Sequence, residues 1–411
     1  MPNLTKQLET SSALSQMELL NKLSQYMSLA PLRRGLWHFQ SPVLALALLT
    51  IFMVGCDNGN GNLGPNCDFD LAGMQANYAD NIIIPAYQTY QDEVESLNTA
   101  VASFKADPSE TNFQAVRDAW KVAYLAYQDV APLEFGPAAD LGYSLAERSN
   151  VFPTSPLGIE DAISMQNLDL DNSFKSVVGF PAVEYLLYNP NAQDVAALVA
   201  QFSTDAGADQ RVAYLEALVG DLLTKANQMV KAWTEDGYDN TFKGSTGSAD
   251  GSALALLANS YNFDYETLKN FKFKLPLGKL DGGIIQPQKV EGFYSGISLE
   301  LAIAQAEAFE RMYAGKSTSG QDGLGFEDYL QCLKTGEDTE DGLLAIAITE
   351  QFTTIVSGLK GLTGPLTDAL ENNKAAVDAV HDEMQKMVPL IKREMTAAMG
   401  VKISYVDNDG D

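Results

Sequence analysis

The chain has 411 residues, with 54 acidic against 27 basic side chains and a formal net charge of −27 at pH 7. This charge argues against nucleic-acid binding and against docking on anionic lipid through the protein surface. The sequence holds two histidines, His38 and His381, whereas metal-dependent hydrolysis and histidine-based catalysis usually need more imidazoles, so composition also argues against a hydrolase.

The N-terminal region has the layout of a targeting segment. An almost wholly apolar run over residues 43–54 follows two arginines and ends just before Cys56. The run is too short to span a bilayer comfortably and is typical of a signal peptide. We therefore predict a signal peptide over residues 1–55, with Met27 as an alternative start.

The ending Met53-Val54-Gly55-Cys56 resembles a bacterial lipobox, which predicts lipidation of Cys56 and a glycine-rich, flexible tether over residues 56–67. The expected location is the cell envelope, lipid-anchored at the outer membrane or the periplasmic face, so the membrane is an expected partner through Cys56. A plain secretory signal is the alternative. An exported protein meets an oxidising compartment, so Cys67 and Cys332 could form a disulfide.

Beyond the tether, apolar residues recur every three or four positions in one stretch after another, as in amphipathic helices. Asp107 as N-cap, Pro108 and Glu110 predict the start of a helix whose apolar face includes Phe113 and Trp120. The other predicted helical stretches are 70–105, 208–235, 251–272, Val290–Met312, 339–360 and Val377–Ile391. No convincing strand-like alternation occurs, so the predicted fold is all-α, with long helices that bury their apolar faces in bundles.

Three irregular stretches, 132–158, 236–252 and 275–288, interrupt the helices and are candidates for functional loops. We place a domain boundary at the second. The prediction is an N-terminal helical bundle over 68–237, a C-terminal helical bundle over 238–405 and an acidic tail over 406–411. The tail lacks the distant bidentate glutamate of a calcium loop.

The central segment reads Gly179-Phe180-Pro181-Ala182-Val183-Glu184. Gly179 breaks an apolar run, Pro181 fits a first helical turn and Glu184 follows on the same helix face. A carboxylate near a helix N-terminus is stabilised by the helix dipole even without a function, which is the structural alternative.

This segment resembles the Gly-x-His-x-x-Glu motif of the imelysin family, with Pro181 in place of the histidine. Other segments of that family have similar counterparts here in the same order: Trp120 with Glu134-Phe135-Gly136-Pro137, then Asn150-Val151-Phe152-Pro153 with Ile159-Glu160-Asp161, then Leu275-Pro276-Leu277-Gly278, and Val290-Glu291-Gly292-Phe293-Tyr294-Ser295-Gly296-Ile297-Ser298. The resemblance implies an envelope lipoprotein of two helical bundles, with its functional site at their interface. It also implies a family first grouped with metallopeptidases and now linked mainly to bacterial iron acquisition.

Glu291, Tyr294, Ser295 and Ser298 are three or four residues apart, which predicts that they share one helix face. A solvated surface is the alternative. Together with Glu134 and Glu184 they could form an oxygen-rich polar cleft, and hard cations such as iron or calcium favour oxygen ligands. The predicted metal ligands are Glu134, Glu184 and Glu291, and a structural hydrogen-bond network is the alternative. The predicted ligand-binding residues are Glu134, Pro153, Gly179, Pro181, Glu184, Glu291, Tyr294, Ser295 and Ser298.

The basic residues Lys269, Lys272, Lys274, Lys279 and Lys289 cluster in an acidic chain. They could form salt bridges with acidic neighbours or line an anion-facing rim of the cleft. Asp378 and His381 resemble half of a bundle di-iron site, but the second carboxylate–histidine pair is missing. His381 is therefore expected at the edge of the core.

The sequence predicts an envelope lipoprotein that binds a ligand and not nucleic acid. The resemblance to the imelysin family implies a role in iron acquisition, with iron-uptake components as expected partners. Pro181 can neither bind a metal nor transfer a proton, so catalysis is disfavoured. A metal-dependent peptidase and a structural or adhesive envelope protein with a decayed site remain the two alternatives.

Overall fold

The computed structural model describes residues 67–140, 144–189, 192–333 and 343–405. The predicted signal peptide, Cys56, nearly all of the tether and the acidic tail lie outside these residues. Within them the regular secondary structure is helical, and extended pairing is limited to an isolated bridge between Lys316 and Asp322. The all-α prediction is confirmed.

The first half contains three long helices, one of which packs against the other two. The α-helices are α1 (Leu71–Asn77), α2 (Ile84–Ala106), α3 (Glu110–Val130), α4 (Leu145–Ser149), α5 (Pro156–Ser164), α6 (Gly179–Tyr188), α7 (Val195–Ala200) and α8 (Ala208–Thr234). A π-helical segment, Tyr78–Ile83, joins α1 to α2, and 3₁₀ turns lie at Ala131–Leu133, Gly136–Ala138 and Lys175–Val177. Helix α2 packs against both α3 and α8.

The second half contains α9 (Tyr238–Gly244), α10 (Ala253–Thr267), α11 (Ser298–Tyr313), α12 (Phe326–Leu333), α13 (Leu344–Gly361), α14 (Leu366–Asn372), α15 (Lys374–Val388) and α16 (Thr396–Ala398). The π-helical segment Leu268–Lys274 extends α10, Pro389–Met395 extends α15, and Pro287–Lys289 is a 3₁₀ turn. Helix α13 packs between α11 and α15.

The two halves meet along α3 and α10. Helix α3 packs on α11, and α10 packs on the turn Ala131–Leu133. Ser260 donates its hydroxyl proton to the Pro132 carbonyl at 2.7 Å, and Arg311 forms an ion pair with Asp129. The buried apolar side chains of the described residues, from Met74 to Val401, form one continuous cluster. The division into two bundles near residue 237 stays a prediction.

Two predicted helix starts are wrong. Ser109 caps α3, because its hydroxyl accepts the Asn112 amide at 3.3 Å, whereas Asp107 ends the preceding helix. Residues 290–297 form turns rather than helix, and α11 begins only at Ser298. Gly292 and Gly296 adopt φ values of +63° and +76°, which a right-handed helix does not contain.

A disulfide joins Cys67 to Cys332, with the two Cα atoms 5.3 Å apart. Within residues 67–405, wherever the structure is described, no helix is long and apolar enough to cross a membrane.

Candidate functional site

Gly179 sets the direction in which α6 enters the core. Its φ of +75° lies in the left-handed region that favours glycine, and a Cβ there would be 2.3 Å from the Ser149 carbonyl oxygen. The glycine thus lets α6 start against the backbone at the end of α4, with Pro181 buried in its first turn. One turn later this geometry buries Glu184, whose side chain is 2 % exposed.

Glu184 is a buried carboxylate held by neutral donors. Its Oε1 accepts the Ser295 amide at 2.8 Å and the Ser295 hydroxyl at 2.6 Å. No cation of the described chain forms an ion pair with it. Burial raises the pKa of Glu184 to about 7, the two Ser295 hydrogen bonds act in the opposite direction, and the charge of Glu291 adds to the rise.

Glu291 lies in the same region and is 1 % exposed, but it has a cationic partner. Its Oε2 is 2.6 Å from the Lys272 ammonium, and Lys272 also donates to the Gln128 side-chain oxygen at 2.8 Å. Its Oε1 accepts the Asn150 amide at 2.7 Å. Asn150 in turn accepts the Tyr124 hydroxyl at 2.5 Å. Glu291 is thus held by segments from both halves of the chain.

A small pocket opens beside Glu184. The residues around it are Phe152, Pro153, Thr154, Pro181, Glu184, Gln288, Val290, Gly292, Phe293 and Tyr294. Its volume of about 20 Å³ is room for about one water molecule. Tyr294 is half-buried there, with its ring centroid 5.5 Å from that of Tyr185. Four of the predicted ligand-binding residues therefore line one pocket, Pro153, Pro181, Glu184 and Tyr294, and a fifth, Ser295, forms hydrogen bonds to Glu184.

Ser298 is the first residue of α11 and is 2 % exposed. Its hydroxyl has no hydrogen-bond partner among the residues that the structure describes. Burying a hydroxyl without a partner is unfavourable, so this group is a candidate donor for something outside the chain.

Glu134 belongs to a different part of the junction. Its Oε2 accepts the Ala146 amide at 3.0 Å, in the first turn of α4. Burial raises the pKa of Glu134 to about 7, against the hydrogen bonds from the α4 start that favour the charged form. It acts there as a helix cap.

The predicted metal triad of Glu134, Glu184 and Glu291 is wrong. Nowhere in the described parts of the chain do three or more His, Cys, Asp or Glu side chains come together so that they could hold a metal ion. Each of the three glutamates has its own partner: a helix start, Ser295 and Lys272 respectively. The predicted single helix face is also wrong, because Glu291, Tyr294 and Ser295 lie in the turns before α11.

Three of the clustered lysines form salt bridges, as one of the two readings of the sequence predicted. Lys269 is 2.9 Å from Glu266, Lys272 pairs with Glu291, and Lys279 is 2.9 Å from Asp382. Lys269 and Lys272 are buried, so they do not line an exposed rim.

His381 is buried against Lys279, whose ammonium lies 2.9 Å from the ring Nδ1. Burial and the Lys279 charge lower the pKa of His381 to about 4, so the ring is neutral at pH 7. Asp378, its neighbour in sequence, pairs with Lys374 and Lys279.

Sequence reasoning missed Gln128, Tyr124 and the role of Lys272 in this site. Gln128 stands one α3 turn after Tyr124 and two after Trp120, on an otherwise apolar face. A polar side chain in the apolar stripe of a long helix was the signal that could have indicated a buried partner.

The family model for imelysin, Peptidase M75, matches residues 83–390. The chain belongs to the imelysin family. It is 22 % identical over 338 residues to iron-regulated protein A of Synechococcus elongatus, covering 77 % of this chain and 85 % of that protein.

Two solved imelysin-like folds resemble this structure. An imelysin-like protein from Psychrobacter arcticum superposes with a TM-score of 0.63 at 19 % identity, covering 83 % of this chain and 100 % of the other. A protein described as an iron-regulated protein A precursor, from Parabacteroides distasonis, gives a TM-score of 0.64 at 16 % identity, covering 82 % and 98 %. These likenesses show that the imelysin fold extends over nearly the whole described chain.

Proposed function

We propose that this imelysin-family protein binds a ligand in bacterial iron acquisition and does not chemically transform it. Binding takes place at the polar junction of α6, the turn Gly292–Ser295 and the segment Asn150–Thr154. The protein is held at the cell envelope through lipidated Cys56, where iron-uptake components are its partners.

One observation carries the proposal. Two glutamates, Glu184 and Glu291, are buried together with a small pocket where the two halves of the chain meet. Burying carboxylates is costly, and such groups are often retained for function. The iron-related part of the proposal is supported by the name of the Synechococcus elongatus relative, iron-regulated protein A.

The site suits binding better than turnover. The position that resembles the family's motif histidine is Pro181, which has no side-chain group to transfer a proton or bind a metal. Ser295 donates to Glu184, but no imidazole stands beside them in the described site; His381 pairs with Lys279 instead. A metal-dependent peptidase remains the second candidate, on the family name alone. The peptidase hypothesis predicts that the purified protein cleaves a peptide library and that a chelator abolishes this cleavage.

Calorimetric titration of the full mature protein with ferric citrate, haemin and calcium chloride tests the proposal. We expect saturable heat with one of the iron probes and at least tenfold weaker binding in Ser295→Ala, because a hydrogen bond to a charged group contributes about 1.5–3 kcal/mol.

Ser103→Ala is the matched control, since the Ser103 hydroxyl is exposed and bonds only to the Thr99 carbonyl of its own helix. Absence of heat with every probe for the folded wild type would overturn the proposal. It would favour a structural or adhesive envelope protein with a decayed site.

A further inference from the structure

We propose that the turn containing Ser295 is a carboxylate-binding site, which Glu184 occupies in this structure and which a carboxylate group of a ligand takes by displacing Glu184. The inference rests on the proposed function, because it names the chemical class of ligand that the same site would take.

The donors around Glu184 are those that recognise a carboxylate. A backbone amide and a hydroxyl of the same residue, Ser295, converge on one carboxylate oxygen at 2.8 and 2.6 Å. The Tyr294 amide also favours the charged form of Glu184. Successive backbone N–H groups in a turn form a concave site for anions, and hydrogen bonds to an ionised acceptor are stronger than neutral ones.

The charge balance permits the exchange. Lys272 neutralises Glu291, so removing Glu291 would leave a buried cation without its partner. Glu184 has no ion pair within the described residues, and therefore its departure leaves no unpaired cation behind. An incoming carboxylate binds to the same neutral donors, and an ionised Glu184 takes up one proton from solvent before it leaves.

Glu184 can leave as a neutral acid. Its pKa of about 7 means that the protonated form is already well populated near neutral pH, and the neutral side chain costs less to move through an apolar region. The hydroxyl of Ser298, three residues beyond Ser295, is buried without a partner in the described chain and is a further candidate donor for the ligand.

The ligand would enter through the pocket lined by Pro153, Pro181 and Tyr294, on whose margin Gln288 is exposed. At about 20 Å³ the pocket holds a water molecule but no carboxylate, so the Glu184 side chain must move before the ligand is seated. An iron-bound tricarboxylate would present such a group, as would the free acid.

The test uses sodium acetate as the probe and a graded set of variants of the full mature protein. Glu184→Ala removes the internal carboxylate, and Glu184→Gln keeps its shape but accepts weaker hydrogen bonds. Saturable acetate binding, followed by calorimetry, is expected to be at least tenfold tighter in Glu184→Ala than in the wild type, with Glu184→Gln between them. In Glu184→Ala/Ser295→Ala the gain should disappear.

Glu95→Ala is the matched control, because Glu95 lies on the exposed face of α2, and it should bind acetate no better than the wild type. Equal acetate binding in the wild type and in folded Glu184→Ala would overturn the inference, as would a gain that survives loss of the Ser295 hydroxyl. If Glu184→Ala does not fold, citrate binding is measured for the near-isosteric Glu184→Gln instead. Tighter citrate binding by Glu184→Gln than by the wild type would support the carboxylate site, and unchanged binding would overturn it.

Ferric citrate separates this inference from the proposed function. Acetate binding gained in Glu184→Ala, with no iron probe bound by the wild type, would keep the carboxylate site and reject the iron-related function. Ferric citrate bound by the wild type, with no acetate effect in the variants, would do the opposite. Comparing citrate with ferric citrate distinguishes the free acid from its iron chelate.

Discussion

At one end of the site the Glu291 carboxylate lies 2.6 Å from a lysine ammonium, whereas at the other end, among the described residues, Glu184 meets neutral donors, which are backbone amides and the Ser295 hydroxyl. Both side chains are almost fully buried. A buried carboxylate is tolerated when a cation and hydrogen bonds compensate its charge, or when its pKa rises so that it can become neutral. The comparison shows the two solutions side by side: the Glu291 end is fixed by an ion pair, and the Glu184 end can change its charge.

Breaking the ion pair at the Glu291 end should have the largest effect. In Lys272→Met the buried Glu291 loses its cation and Gln128 loses a donor, so we expect unfolding to become easier by about 3–5 kcal/mol. Urea denaturation at pH 7 measures the change. Lys105→Met is the control, because Lys105 forms an exposed pair with Glu216, and such pairs contribute about 0–1 kcal/mol. Equal losses in the two variants would show that the Lys272–Glu291 pair contributes no more than a surface pair.

The raised pKa of Glu184 should make the stability of the protein depend on pH. The pKa of Glu184 rises from 4.5 to about 7 in the folded protein, so the folded state binds more protons and stability falls as pH rises through that window. The full contribution is about 3 kcal/mol. Relative to the wild type, Glu184→Gln should therefore gain stability between pH 4.5 and pH 7, measured by urea denaturation at several pH values.

Comparison with Glu184→Gln isolates this contribution from other shifted groups. The pKa values of Glu134 and Asp264 rise to about 7 and about 6, and that of His381 falls to about 4, but all three remain in the variant. Glu95→Gln, on the exposed face of α2, is the control. Parallel stability curves for Glu184→Gln and the wild type would contradict the raised pKa of Glu184.

Replacing the glycine at the start of the helix that carries Glu184 should have a smaller effect on stability. Gly179→Ala places a Cβ at a positive φ and 2.3 Å from the Ser149 carbonyl oxygen, so we expect a loss of about 2 kcal/mol. Gly220→Ala is the matched control in the middle of α8, where a Cβ would meet nothing within 4 Å. It should gain about 0.5–1 kcal/mol from helix propensity. Thermal denaturation measures the stability of both variants. An increase in stability in both would contradict the strained position of Gly179.

The helices were largely predictable because burying one face of a helix leaves a regular pattern in the sequence. Residues 208–235 were predicted and Ala208–Thr234 is observed. The same reasoning failed over residues 290–297. Val290 and Ile297 are buried there, but they belong to turns and not to a helix. Apolar spacing reports which side chains face the core, and a turn can present the same spacing as a helix.

The site was predictable in part. Glu184, Tyr294 and Ser295 were singled out and lie around one pocket or in contact with each other. The partners of Glu291 were not predicted, because Gln128 and Lys272 are 144 residues apart in the chain and only the tertiary fold brings them together. Long-range pairing of buried polar groups leaves no local periodicity in a single sequence.

The disulfide near the start of the described chain has a mechanical consequence. Cys67 is joined to Cys332 across a sequence separation of 265 residues. A membrane anchor at Cys56, as proposed, would transmit any pull both to α1 through the backbone and to α12 through the sulfur–sulfur bond. The force is then shared between the first and the second half of the fold, so a force from the membrane would not detach α1 alone.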